Sequence, residues 1–146
     1  MKREYTRRFK FCAGHRIFGY DNECSHVHGH NYVLAATARA HLNSEFFETF
    51  GQKIRDWIDT MWDHKMILFD QDPLVVEWQR GKLMGNEYCL LPFNPTAENM
   101  AHYILNHVCP LLFHGMDVGI IKVVLWETEN CYATAEKFEF PSGGLA

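Results

Sequence analysis

"HNYVLAATARAHL", residues 30 to 42, is the stretch that decides the fold. β-Formers stand at its start, and Thr37 and Arg39 then alternate with alanines, the period of two that marks a strand with one face turned inward. Upstream, Glu4 to Cys12 mixes polar and aromatic residues in a way that suits a second strand, which Gly14 is expected to break just before His15. The two would pair antiparallel across a long loop, Arg16 to Val27.

Downstream, Phe46, Phe47, Phe50, Ile54, Trp57, Ile58 and Met61 recur at helical spacing after Asn43 and Ser44, either of which suits an N-cap. "DHKMILFDQDP" reads as a turn region, and Leu74 to Gln79 as a short helix closed by Gly81. In "NPTAENMAHYILNHVCP", Thr96 can cap a helix along which Met100, Tyr103, Ile104 and Val108 share a face, and Pro110 is expected to limit it. "GIIKVVLWE" (residues 119–127) and "CYATAEKFEF" (residues 131–140) then read as a hairpin across Thr128 to Asn130. The order ββααββ predicts an α+β fold, an antiparallel sheet covered on one face by helices.

The chain has 146 residues, which suits a single domain, since chains of this size bury roughly 68–70% of their unfolded surface. A net charge of −4 gives no electrostatic reason to bind nucleic acid or an anionic membrane, and Glu4, Tyr5 and Phe9 interrupt the only basic run, Lys2 to Lys10. Neither a Walker-type loop nor GxGxxG occurs. No apolar run approaches the roughly 18–20 residues of a membrane span. Five cysteines without a CxxC pair, and no secretory signal, point to reduced thiols and a soluble cytoplasmic protein.

"ECSHVHGHNY", residues 23 to 32, concentrates the chemistry. In an extended segment His28 and His30 share a face, which suits two ligands of one metal ion. A catalytic zinc site needs a third protein ligand, and His15 at the end of the first strand is a candidate, as is the less free His26. A solvated histidine-rich strand edge is an equally good reading of HxH alone. Cys24 can be a small hydrophobe, a fourth metal ligand, or a thiolate if a cation lowers its pKa. Asp63 and His64 in "WDHK" are either a polar helix end or a proton-transfer pair, and Glu127 is either a solvated hairpin mouth or an acceptor of paired N–H bonds from a heterocycle.

Taken in order, "FKFCAGHRIFG", "ECSHVHGHNY", "WDHKMIL", "NPTAENMA" and "LWETENCYA" resemble the 6-pyruvoyltetrahydropterin synthase and 6-carboxytetrahydropterin synthase family over nearly the whole chain. The resemblance implies a T-fold over residues 1–146, an antiparallel four-stranded sheet with two main helices on one face. It also implies assembly into a barrel-like homohexamer with active sites between subunits. It makes His15, His28 and His30 ligands of Zn2+ and leaves His26 outside. Cys24 becomes the catalytic cysteine, with Asp63 and His64 as its proton-transfer partners. Glu127 becomes the pterin anchor, Thr96 a neighbour of the pterin pocket, and Glu98 and Asn99 residues that shape the helix start.

The implied substrate is a small molecule, 7,8-dihydroneopterin triphosphate, acted on by a zinc-dependent carbon–oxygen lyase. The compact spacing from Cys24 to His30 resembles the carboxy synthases of the queuosine pathway more than the pyruvoyl synthases. Two departures stand out. "EFFETF" replaces the family's G-M-V-x-D-F and puts Thr49 where an aspartate falls, and "MILFDQDPL" replaces the frequent leucine–asparagine after the Asp-His pair.

Overall fold

Two long strands set the frame. β1 (Arg3–His15) and β2 (His28–Ala40) pair antiparallel along their whole length, from Arg3 opposite Ala40 to His15 opposite His28. The computed structural model describes residues 3–40, 45–81, 85 and 87–137, with side chains from residue 48 onward in the first helix. The N-cap expected at Asn43 or Ser44, the side chains of Phe46 and Phe47, and the segment 138–140 lie outside the described residues.

The sheet corrects the four-stranded expectation. It has six strands in the order β4-β3-β1-β2-β5-β6, where β3 is Lys65–Phe69, β4 Tyr88–Leu91, β5 Val118–Thr128 and β6 Cys131–Glu136. β1, β2, β5 and β6 pair antiparallel, while β3 runs parallel to β1 and β4 parallel to β3. The expected turn "DHKMILFDQDP" therefore contains a strand. Ile67 and Leu68 are both buried, so β3 is covered on both faces and shows a short apolar run in place of alternation. Gly14 does not end β1 either. It stands opposite Gly29, and a Cβ there would lie 2.5 Å from Met66 Cε.

The two main helical segments cover one face. Phe50, Ile54 and Ile58 of α1 (Glu45–Met61) and Ala97, Met100 and Ala101 of α3 (Ala97–Tyr103) share a core with Phe9 and Phe11 of β1, Tyr32 and Leu34 of β2, and Val123 and Leu125 of β5. Met61, expected on the buried stripe, is 39% exposed, and the adjacent Trp62 is fully buried in its place. Truncating a residue such as Ile58 to Ala would cost about 2–5 kcal/mol. α2 (Pro73–Arg80) has Asp72 as N-cap, Pro73 in its first turn and Gly81 as C-cap.

Pro110 does not limit the last helix. Ile104–Val108 widens into a π-type stretch and the chain continues as α4, Cys109–Leu112, with Pro110 in its first turn. A proline lacks the N–H of a normal helical bond and its ring crowds the carbonyl four residues back, so a local i→i+5 pattern lets the helix run through.

One partly buried ion pair fixes the loop after β1. Arg16 Nε donates to Asp72 Oδ2 at 2.7 Å and a second guanidinium nitrogen donates to Oδ1, while Asp72 also accepts from Leu74 N–H at 2.9 Å. Burial opposes ionisation of Asp72, yet these bonds and the Arg16 charge hold its pKa below the usual 3.8. A carboxylate with a lowered folded pKa stabilises above its unfolded value, and the contribution is lost as pH falls through the folded value. Asp72 is 1% exposed and its partner Arg16 partly exposed, so Asp72→Ala, which also removes the α2 cap, is expected to cost about 2–3 kcal/mol. Chemical denaturation at neutral pH tests this; a loss under about 1 kcal/mol would mean that the pair behaves as a solvated surface contact.

Candidate active site

Strand register assembles three imidazoles. His15 faces His28 directly and His30, opposite Ala13, is its diagonal neighbour on the same face. Ring centroids stand 4.6 Å apart for His15 and His28, 5.0 Å for His15 and His30, and 4.9 Å for His28 and His30. Each offers one ligand nitrogen, and these lie within 4.8 Å of one another. His26 is not among them; it is exposed, and its carbonyl accepts a bond from His28 Nδ1 at 2.6 Å. Gly29 serves close strand approach, since a Cβ there would stand 3.2 Å from the Ala13 carbonyl oxygen.

Hydrogen bonding fixes which nitrogens are bare. His15 Nδ1 is 2.7 Å from Pro95 O and His28 Nδ1 is 2.6 Å from His26 O. Carbonyls only accept, so both Nδ1 atoms carry a proton, and the tautomer this selects leaves Nε2 as the nitrogen that can bind a ligand. Those two Nε2 atoms face each other at 3.0 Å, which is repulsive unless something positive lies between or beside them. A proton is disfavoured at His15: burial pushes its pKa from 6.5 down to about 4, against the pull of the Pro95 bond and aided by His28 and His30. His30 is lowered as well, by burial first and then by His28. Two ligands of a tetrahedral zinc ion stand about 3.3 Å apart, so this donor set fits such an ion.

Glu127 and Thr96 adjoin this cluster. β5 and β6 change register between Trp126 and Thr128, and the irregularity falls on Glu127. Its carboxylate accepts from the Ala97 N–H at the start of α3 and lies in the field of His28. Burial, then the nearby Glu98, raise the Glu127 pKa, and His28 and the Ala97 bond only partly offset them. Thr96 caps α3 by accepting from Asn99 N–H at 3.1 Å, and Asn99 Nδ2 donates to Asn94 O at 2.9 Å, so Asn99 does shape the helix start. Sequence reasoning passed over Tyr32. It is fully buried beside His15 and His30, and its hydroxyl has no hydrogen-bond partner among the described residues. Burial and then the Glu127 charge push its pKa up, so it stays a neutral donor beside the cluster.

Asp63 and His64 form a second group, joined by Cys12. His64 Nδ1 lies 3.0 Å from Asp63 Oδ2, Cys12 N–H donates to Asp63 Oδ1 at 3.1 Å, and His64 N–H donates to Cys12 O at 2.7 Å. Burial works against the Asp63 carboxylate, but the Cys12 bond, His64 and Arg55 outweigh it and lower its pKa. His64 sits at φ 59°, the left-handed position that usually ends a helix with glycine, and its ring is 78% exposed. An open cleft of about 700 Å³ is lined by Cys12, His30, His64, Lys65, Trp78 and Glu87 among others, and so adjoins the Cys12 and His64 group, while His15 and His28 do not line it. Cys24 belongs to neither: it is exposed on the single 3-10 turn Glu23–Ser25, where Asn22 caps its N–H and its carbonyl accepts from Ile17.

Backbone conformation at position 64 predicts that His64→Gly is at least as stable as the unaltered chain and His64→Ala less stable than His64→Gly by about 1–2 kcal/mol. Equal stabilities in urea would contradict the left-handed geometry. His15 predicts a pH dependence. It is harder to protonate folded than unfolded, so the metal-free chain is most stable above about pH 6.5 and loses on the order of 3 kcal/mol as pH falls toward 4. His15→Gln should flatten that fall in denaturation midpoints measured from about pH 7 to 4.5.

Residues 4–137 match the sequence model of the family described as 6-pyruvoyl tetrahydropterin synthase. A relative from Rickettsia felis (strain ATCC VR-1525 / URRWXCal2), named 6-carboxy-5,6,7,8-tetrahydropterin synthase, is 36% identical over 132 residues, covering 87% of this chain and 95% of its own length. One of the same name from Aquifex aeolicus (strain VF5) is 29% identical over 163 residues, covering 91% and 97%. In fold, the chain is similar to an uncharacterized protein from Wolinella succinogenes (TM-score 0.78, 18% identity, 94% and 99% covered). It is also similar to 6-pyruvoyl tetrahydropterin synthase from Plasmodium vivax (TM-score 0.69, 17% identity, 94% and 98% covered). Sequence and fold together make the chain a member of the 6-pyruvoyl tetrahydropterin synthase family of enzymes.

Proposed function

We propose that this chain is a zinc-dependent lyase that converts 7,8-dihydroneopterin triphosphate to 6-carboxy-5,6,7,8-tetrahydropterin, with uptake of water and release of triphosphate and acetaldehyde. The observation that carries the zinc requirement is the pair of bare Nε2 atoms of His15 and His28 held 3.0 Å apart. The carboxy product is supported by the name of the Rickettsia felis relative and by the compact spacing from Cys24 to His30. This reaction would place the chain in queuosine and 7-deazapurine synthesis, in the cytoplasm.

In this reading His15, His28 and His30 hold the metal, with Pro95 O and His26 O orienting two of the rings. Zinc would supply Lewis acidity toward the substrate's side-chain hydroxyls, which makes the adjacent C–H bonds more acidic. Glu127 accepts N–H bonds from the guanidine-like edge of the pterin, and Thr96 holds the α3 start beside it. Cys24 as thiolate takes a proton, and His64, held by Asp63, is the partner that moves it on. Reduction of the pterin ring is balanced by oxidation of its side chain, so no nicotinamide or flavin takes part. Cys24 belongs to neither side-chain cluster of its own chain. A homohexamer with sites between subunits would bring Cys24 of one chain to Asp63 and His64 of another.

Incubation of the zinc-loaded protein with dihydroneopterin triphosphate should yield the carboxylated pterin by mass analysis, together with acetaldehyde. A product retaining three side-chain carbons would make it a pyruvoyl synthase, a hydroxymethyl product would indicate a retro-aldol cut, and tight binding without turnover would make it a pterin-binding protein. Cys24→Ala should keep its zinc and lose at least about 100-fold in turnover. Loss of the metal instead would make Cys24 a ligand.

A further inference from the structure

Cys12, Asp63 and His64 are a donor set apart from the three histidines. Each places one ligand atom within 4.8 Å of the others. Cys12 is even-numbered on β1 and His15 odd-numbered, so the two clusters use opposite faces of the strand. Backbone bonds hold the second group: Cys12 N–H donates to Asp63 and His64 N–H donates to Cys12 O. The 3.0 Å between Asp63 Oδ2 and His64 Nδ1 is close to the separation of neighbouring ligands on one tetrahedral ion. Thiolate, imidazole and carboxylate together suit zinc and its softer analogues, and disfavour magnesium and calcium, which take oxygen ligands. The cleft beside Cys12 and His64 leaves room for water as a fourth ligand. Arg55, whose charge bears on Asp63, is itself held by Asp59, with Nε 2.9 Å from Oδ1.

We propose that Cys12, Asp63 and His64 form a second site for a thiophilic divalent cation, zinc or cadmium, and that filling it takes His64 out of proton transfer. Binding replaces the thiol proton of Cys12, which leaves to solvent, and exchanges the Asp63–His64 hydrogen bond for shared coordination as the His64 ring proton passes from Nδ1 to Nε2 through solvent. The cation site rests on the geometry alone, while its effect on turnover rests on the role proposed above for Asp63 and His64. Zinc at low level would then support activity through the histidines, and zinc in excess would suppress it through Cys12.

Cadmium titration tests the site, because a cadmium–thiolate bond absorbs in the ultraviolet and a histidine site does not. The unaltered chain should bind two cadmium ions, with thiolate absorption from one of them. Cys12→Ser should abolish that absorption and leave one ion bound. Cys24→Ser should leave both ions and the absorption, and His64→Gly, which suits the left-handed backbone, should weaken the second ion at least about tenfold. One ion in the unaltered chain, or thiolate absorption that survives Cys12→Ser, would overturn the site. Excess zinc should slow pterin turnover at least about tenfold in the unaltered chain and not in Cys12→Ser. Equal sensitivity of the two would overturn the inhibitory effect. A chain with no pterin turnover would sink the functional reading and leave the cadmium count to decide the site.

Discussion

The register that sets His15 opposite His28 is the constraint on which the rest of the site depends. Side chains alternate along a strand, so a slip of one residue on β2 would turn His28 and His30 to the other face and leave His15 alone. That register is held by burial. Phe9, Phe11 and Ala13 on β1 and Tyr32, Leu34 and Ala36 on β2 are the core series, and His15, His28 and His30 continue the same two series toward the strand ends. Phe11 and Tyr32 stack at 5.0 Å directly below the histidines. The hydrophobic core therefore sets the polar cluster in register, and the Pro95 and His26 carbonyls then orient two of its rings.

Around that frame, irregular chain completes the site, and its polar groups are satisfied by a few side chains. Asn94 clamps Phe18 through two bonds, accepting from its N–H at 2.8 Å and donating to its carbonyl at 2.9 Å. Arg16 binds Asp72 one step earlier, and Ile17 N–H bonds Cys24 O at 2.8 Å. The loop that carries Cys24 is thus tied to both α2 and the start of α3. The Pro95 carbonyl that orients His15 comes from that same α3 approach, so the histidine cluster, the Cys24 turn and Glu127 share one support.

How much of this was legible in the sequence follows the range of each interaction. The paired strands, α1, α2 and the Thr96 cap were readable because alternation, helical spacing and capping are local patterns. β3 was hidden because a short strand covered on both faces has no alternation, and the run through Pro110 because the π-type stretch has no sequence mark. The three histidines were legible as candidates, since HxH on a strand places two rings on one face and His15 ends the first strand, but the exclusion of His26 came through resemblance. Cys12 was missed because its neighbours, Asp63 and His64, lie more than fifty positions away and meet it only through tertiary hydrogen bonds. A left-handed His64 had one faint signal: a helix ending in "WDHK" offers no glycine, and histidine is among the residues that tolerate that conformation.

X-ray absorption at the zinc edge tests the central claim most directly. In the Cys12→Ser chain loaded with zinc, the nearest shell should contain nitrogen and oxygen only, at about 2.0–2.1 Å, with imidazole scattering from three rings. A sulfur neighbour at about 2.3 Å, or scattering from fewer than three imidazoles, would contradict the account that β1–β2 register builds this centre from His15, His28 and His30.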